Sequence, residues 1–260
     1  MSSLDPQPSN LGDATWTSYV RSFHEERAGI TDSVLSGAWH DYLSPYEWAA
    51  NAVGDLGPVL DLACGSGPMH RFIGASLCVG LDSSPAELAL AAHTGASPLV
   101  RALAADLPLA DGAFAAVVCS MSLQILQPLD RTLREVARVL RPGGVFVALL
   151  PANAPLSFRD RIRYARLLVA LRRSQLGYPN DGALANPVPL FQSHGLDVVS
   201  DERYRFVFDM STPTAGDTFV RSLYLPGSSS TRLQAAACVT RRWHTELGIP
   251  LRRIVATRPH

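Results

Sequence analysis

The chain contains no lysine: all 23 of its basic residues are arginine. That excludes lysine nucleophiles and Schiff-base chemistry, and GC-rich coding is the simplest reading of it. Net charge is also absent, since 23 acidic residues balance the 23 arginines, which argues against a general nucleic-acid or membrane-surface binder. Cysteine is scarce. Cys64, Cys78, Cys119 and Cys238 are far apart, without paired metal-ligand spacing, and read as buried thiols in a reducing compartment; no metal is expected. No apolar run reaches membrane-spanning length. The opening MSSLDPQPSN has neither the basic nor the apolar region of a secretory signal, so a cytoplasmic location is expected.

What is present suits one large α/β domain. The 260 residues are 47% hydrophobic and 18% charged, a globular composition at the upper end of what one core serves. Residues 1–12 form a polar tail expected to be disordered. From Trp16 to about Ala52 the pattern is helical, broken near Gly29 and at Ser44-Pro45. Short apolar runs then alternate with helical stretches. Strands are predicted at Val59–Ala63, Cys78–Asp82, Leu99–Ala104, Ala115–Ser120 and Val145–Leu150, with helices at Met69–Ala75, Pro85–His93 and Asp130–Leu140. Such alternation implies βαβ units and a parallel sheet. Ser84-Pro85-Ala86-Glu87 spells an N-cap, a proline at the first helical position and a capping-box glutamate.

Further on the pattern loosens. Leu190–His194 reads as a helix end before a strand at Leu196–Ser200, and Tyr204–Phe208 either extends that strand or forms the next. Residues 209–250 look mainly helical, with a short final strand at Arg253–Thr257. These elements predict a Rossmann-like, doubly wound, mostly parallel seven-stranded sheet. A tail and helical cap over 1–57 precede the main domain at 58–260, which has inserts near 153–187 and 209–250.

The strongest local signal is Val59-Leu60-Asp61-Leu62-Ala63-Cys64-Gly65-Ser66-Gly67, an apolar strand running into a small-residue turn. Such a turn lets the backbone approach a nucleotide-like ligand. Alone it would equally suit a dinucleotide. Asp82, at the end of the next strand, is placed where a carboxylate binds both ribose hydroxyls.

The segment DLACGSG resembles the first motif of class I S-adenosylmethionine-dependent methyltransferases, with Ala63 where the first glycine is commoner. VGLDSSP resembles their second motif, AADLPLADGAFAAVVCSMSLQIL their adenine-binding turn and fourth strand, and LREVARVLRPGGVFVALLP the helix-turn-strand that follows. The four matches keep the family's order over Val59 to Pro151. The resemblance implies S-adenosylmethionine as cofactor and S-adenosylhomocysteine as product. It puts Asp61, Ala63 and Gly65 near the methionine portion, Asp82 and Ser83 at the ribose, Asp106 and Leu107 at the adenine, and Ser120 beside the sulfonium. Asp106 also suits a plain turn before Pro108. Tyr19 and Arg27 occupy the region that, in similar enzymes, folds over the methionine end.

Small-molecule members of the family, which include quinone and natural-product enzymes, often carry a histidine after the fourth strand. Here Gln124 holds that place; it orients a substrate but cannot serve as a base. A base would have to come from His24 or His40 in the aromatic-rich cap or from His194 or His244 in the C-terminal half, each of which suits a surface or core position as well; His24 is singled out with Gln124 as the catalytic pair. The arginine run at 159, 161, 163, 166, 172 and 173 suits either a substrate carboxylate or phosphate or, on the helical spacing of Arg159, Arg163 and Arg166, a solvated face. The expected reaction is methyl transfer to a small, partly apolar acceptor, with oxygen preferred over nitrogen or carbon and no nucleic acid or membrane as partner. The rivals are cofactor-dependent chemistry other than methylation, and a non-catalytic subunit. A monomer and a homodimer are both compatible with the sequence.

Overall fold

In the computed structural model, residues 12–74 and 77–260 are described. All but the last residue of the expected polar tail lies outside them, as does the end of the helix expected over Met69–Ala75. The cap comprises α1 (Asp13–Glu26), α2 (Ile30–Leu35), the two-residue strand β1 (Ala38–Trp39) and α3 (Pro45–Asn51). Ser44 starts α3 through a reciprocal capping box with Glu47, which satisfies two otherwise orphaned backbone donors. The core follows as β2 (Val59–Leu62), β3 (Cys78–Asp82), α4 (Pro85–His93), β4 (Leu99–Arg101), β5 (Phe114–Ser120), α5 (Leu129–Val139) and β6 (Leu140–Pro151). Then come α6 (Phe158–Leu171), α7 (Asp181–Leu184), α8 (Pro187–Gln192), β7 (Asp197–Phe208), α9 (Pro213–Ser222), α10 (Ser230–Thr240) and β8 (Leu247–Thr257).

The strands form one sheet in the order β1-β7-β8-β6-β5-β2-β3-β4. Pairs from β6 through β5, β2 and β3 to β4 are parallel; β6–β8, β8–β7 and β7–β1 are antiparallel. Alternate residues feed two cores. Ala116, Val118, Val147 and Leu149 face α2, α3, α6, α9 and α10, while Val117, Cys119, Phe146 and Ala148 face α5, α7 and α8. This is the two-residue period of a sheet covered on both faces.

The Rossmann-like expectation therefore stands, with corrections. The sheet has eight strands rather than seven, because β1 of the cap pairs with the edge of β7. The last strand begins at Leu247, not Arg253, so the helical insert beyond residue 208 ends earlier than expected. Gly248 and Pro250 disguise its start. Pro250 lies just past the last β6 pair, Pro151–Leu251, so its missing N–H breaks no ladder bond on that side. The two apolar runs around residue 200 are one strand, whose charged middle is paired: Asp201 receives Arg252 at 2.7 Å, and Glu202 receives Arg253. In place of a helix over Met69–Ala75 stands a 3₁₀ turn at Pro68–Arg71. Cys64, Cys78 and Cys119 are buried, whereas Cys238 is exposed. It sits two residues from buried Ala236 and Thr240, on the opposite side of α10.

Candidate functional site

Three loops converge at the carboxyl ends of β2, β3 and β5, beside the point where strand order reverses, the position at which open α/β sheets bind ligands. In the first, Ala63, Gly65 and Gly67 all have left-handed backbone, with φ of 54°, 54° and 76°. Ala63 bears that conformation at a cost of about 1 kcal/mol. A Cβ on Gly67 would approach Ala96 to 2.9 Å, whereas one on Gly65 would make only an ordinary contact with Glu87 at 3.7 Å. The turn is closed by Asp82: Gly65 N–H donates to Oδ2 at 2.9 Å and Ser84 N–H to Oδ1 at 2.8 Å. Burial pushes the Asp82 carboxyl up, and those backbone donors oppose the shift.

These loops floor a cavity of about 90 Å³. Its roof comes from the cap, through His24, Gly29 and Thr31. Glu87 ties roof to floor: Oε1 lies 2.7 Å from His24 Nδ1, and Oε2 accepts Gly29 N–H at 3.0 Å. His24 Nε2 lies 2.8 Å from Tyr224 Oη. With the Glu87 carboxylate as acceptor, neutral His24 carries its proton on Nδ1, leaving Nε2 to accept from the tyrosine. Glu87 thus does more than the capping box allowed. Ser84 Oγ accepts Glu87 N–H, but the Glu87 side chain serves the cap instead of returning to Ser84.

A second, larger cavity of about 500 Å³ adjoins the first and shares Thr31, Met121 and Tyr224 with it. Leu150, Leu168, Phe219, Ile249 and Leu251 make much of its wall apolar. Met121, at the junction, is held at φ 55°, the kind of local strain that collects at functional sites. Gln124 reaches this larger cavity; its Nε2 donates to Met121 O at 2.7 Å, and its buried Oε1 has no hydrogen-bond partner among the described residues.

Of the residues singled out by sequence, Ala63, Gly65, Asp82, Ser83, Ser120 and His24 line the smaller cavity. Asp106, Leu107, Tyr19 and Arg27 do not. Asp106 is an exposed turn residue 3.6 Å from Arg131, and Leu107 N–H is taken by Glu135 at 2.7 Å. Tyr19 Oη accepts Leu225 N–H at 2.8 Å, which pins the cap beside Tyr224. Arg27 lies 4.9 Å over the Phe23 ring and donates to Arg221 O. Sequence reasoning missed Glu87, which looked like a cap, and Tyr224, which lies 200 residues from its partner His24 and left no local signal.

Asp61 sits beneath the turn, 1% exposed, outside the cavity lining. Neither oxygen has a hydrogen-bond partner among the described residues, and His70 Nδ1 is 3.9 Å away. Burial, then the charge of Asp82, raise its carboxyl from 3.8 to about 8. A raised folded-state value means that protonation favours folding. The contribution is full below 3.8 and fades as pH climbs to about 8. Thermal denaturation without ligand should therefore show melting temperature falling across that window, with Asp61→Asn flattening the fall. Equal slopes in both proteins would contradict an unpaired Asp61.

The family model described as a methyltransferase domain matches residues 60–148. The demethylmenaquinone methyltransferase of Mycolicibacterium paratuberculosis is 33% identical over 181 residues, covering 62% of this chain and 78% of that protein. The 2-phytyl-1,4-naphtoquinone methyltransferase of Synechococcus elongatus is 36% identical over 123 residues, 43% of this chain and 52% of that one. The chain spans about half the length of most of the curated relatives it matches, from 41% to 62%, apart from the Mycolicibacterium paratuberculosis enzyme at 78%. Among solved structures, the cyclase SpnF superposes with a TM-score of 0.57 at 20% identity, covering 99% of this chain and 98% of its own. That likeness is one of fold alone.

Proposed function

The chain belongs to the class I S-adenosylmethionine-dependent methyltransferases, and from that premise we propose that it methylates a hydroxyl of a sizeable, largely apolar small molecule. The observation that carries the reading is the meeting of the two cavities at Thr31, Met121 and Tyr224. The smaller has the features S-adenosylmethionine requires. The Gly65 turn is uncrowded, the nearest atom to a Cβ there being Glu87 Oε2 at 3.7 Å, and the Asp82 carboxylate is fixed by two backbone donors for the ribose hydroxyls. When bound, the cofactor supplies an electrophilic methyl group, and the protein's task is to align acceptor, methyl and sulfur.

The larger cavity takes the acceptor. Gln124 Oε1, buried and unpartnered, is available to a hydroxyl donor at its wall. Transfer to an alcohol or phenol also needs a proton sink. In our reading the acceptor proton passes to Tyr224 Oη as the tyrosine proton passes to His24 Nε2, and Glu87 steadies the imidazolium through Nδ1–H. Burial pushes the Tyr224 hydroxyl well above its ordinary range, so it serves as a relay and not as a standing phenolate. The products are the methyl ether, S-adenosylhomocysteine and one proton.

The test is S-adenosylhomocysteine release with a panel of lipophilic phenols and hydroquinones. With a turned-over acceptor, Tyr224→Phe and His24→Gln should each lower kcat about 100-fold or more, with little change in S-adenosylmethionine affinity. A loss confined to cofactor affinity would remove the relay. Tight cofactor binding without release for any acceptor would favour chemistry other than methylation.

A further inference from the structure

The zero net charge of the chain conceals one lopsided surface. Between residues 158 and 173 there are six arginines against a single acid, Asp160, and that acid is buried beneath α6. On the outer side of α6, Phe158, Ile162, Ala165 and Val169 follow at intervals of four, three and four, which stacks them along one line of the helix. Phe158 and Val169 are each 77% exposed, and Ile162 is 40% exposed. By helical geometry Arg159 and Arg166 flank one side of this stripe and Arg161 the other, with Arg172 at the C-terminal cap; all four are exposed. Asp160 being buried, α6 itself puts no acid on this face.

The inner side of the same helix packs Leu167 and Leu171 into the core and presents Tyr164 and Leu168 to the larger cavity. The stripe is therefore not a misplaced core face. The core side of the helix is already complete, and a second, solvent-facing apolar line has been added.

We propose that this outer face of α6 docks on an anionic lipid bilayer. Phe158, Ile162 and Val169 would enter the boundary between headgroups and acyl chains, while the flanking arginines extend to lipid phosphates. Charge selects this occupant over a second copy of the chain. A twofold contact would set the arginines of one helix against those of the other, whereas a bilayer of anionic phospholipid complements them along the whole helix. No described helix is long and apolar enough to cross a membrane, so the contact is peripheral. It also puts the wall of the larger cavity next to a reservoir of lipophilic acceptors, although the docking itself does not depend on the methyl-transfer reading.

The full chain should co-sediment with vesicles of equal parts phosphatidylcholine and phosphatidylglycerol. It should bind pure phosphatidylcholine far less and be released by molar salt. Arg159→Gln with Arg166→Gln should weaken binding about 25-fold, near five-fold per charge. Phe158→Ser with Val169→Ser should weaken it comparably. Both pairs are at the surface, so unchanged melting temperatures confirm folding. Absence of vesicle binding, or equal binding by all variants, would overturn the proposal. So would a wild-type dimer in sedimentation velocity that the Phe158→Ser/Val169→Ser protein loses, since that assigns the face to a second copy.

Discussion

Asp82→Ala should weaken S-adenosylmethionine binding roughly 100-fold, about 3 kcal/mol, in a calorimetric titration. The carboxylate is assigned two roles, accepting the ribose hydroxyls and holding the glycine turn against α4. The second is visible in its bonds from Gly65 and Ser84 N–H. Its removal takes away the ligand contacts and leaves two backbone donors without their acceptor. Asp82→Asn separates the roles, because one amide oxygen still accepts from the backbone; it should lose less than alanine yet more than a few-fold. Binding unaffected by either change would place the cofactor elsewhere.

Asp160→Ala should be strongly destabilising, by about 3–5 kcal/mol in chemical denaturation. The carboxylate, 1% exposed, accepts from Arg205 Nε at 2.7 Å and Nη2 at 3.2 Å, from Gly248 N–H at 2.9 Å, and from Ser157. Alanine leaves the guanidinium and the Gly248 amide without their acceptor. The same contacts explain the glycine in β8, since a Cβ there would run into Arg205 and Asp160. Burial alone would raise the Asp160 carboxyl, but the bonds from Arg205, Ser157 and Gly248 prevail and hold it well below the carboxylate range. A depressed folded-state value gives stability that is present above 3.8 and lost as pH falls further. The gap between wild type and variant should therefore narrow in acid. A gap that persists undiminished well below pH 3.8 would show that packing, and not charge, is responsible.

Legibility in the sequence followed the range of the forces involved. Helix α4 has the predicted bounds, Pro85–His93, because Ser84 and Pro85 set its start locally. The strands and turn from Val59 to Asp82 were readable because an apolar run, glycines and an acid lie within about 25 residues. At Glu87, local chemistry pointed to a capping box, but a cap residue 63 positions away, His24, competes for the carboxylate at 2.7 Å. No short-range pattern encodes that choice. Tyr224 and the junction of the cavities depend on α9 and its following loop meeting α1, an encounter fixed only by tertiary packing of Trp16, Phe23 and Tyr224. The spacing of Arg159, Arg163 and Arg166 suits a solvated face, with a substrate anion as the other reading of the arginine run. Arg159, Arg161, Arg166 and Arg172 are exposed, whereas Arg163 is half-buried and Arg173 buried; the apolar line between the arginines is meaningful only because Asp160, Leu167 and Leu171 form the buried side.

The central claim is that the cavity over Gly65 and Asp82 holds S-adenosylmethionine. Titrating S-adenosylmethionine, S-adenosylhomocysteine and NAD into the wild-type protein tests it most directly. The account predicts micromolar-range binding, on the order of −8 kcal/mol, for the first two ligands and none for NAD. No binding of S-adenosylmethionine, or a preference for NAD, would contradict it.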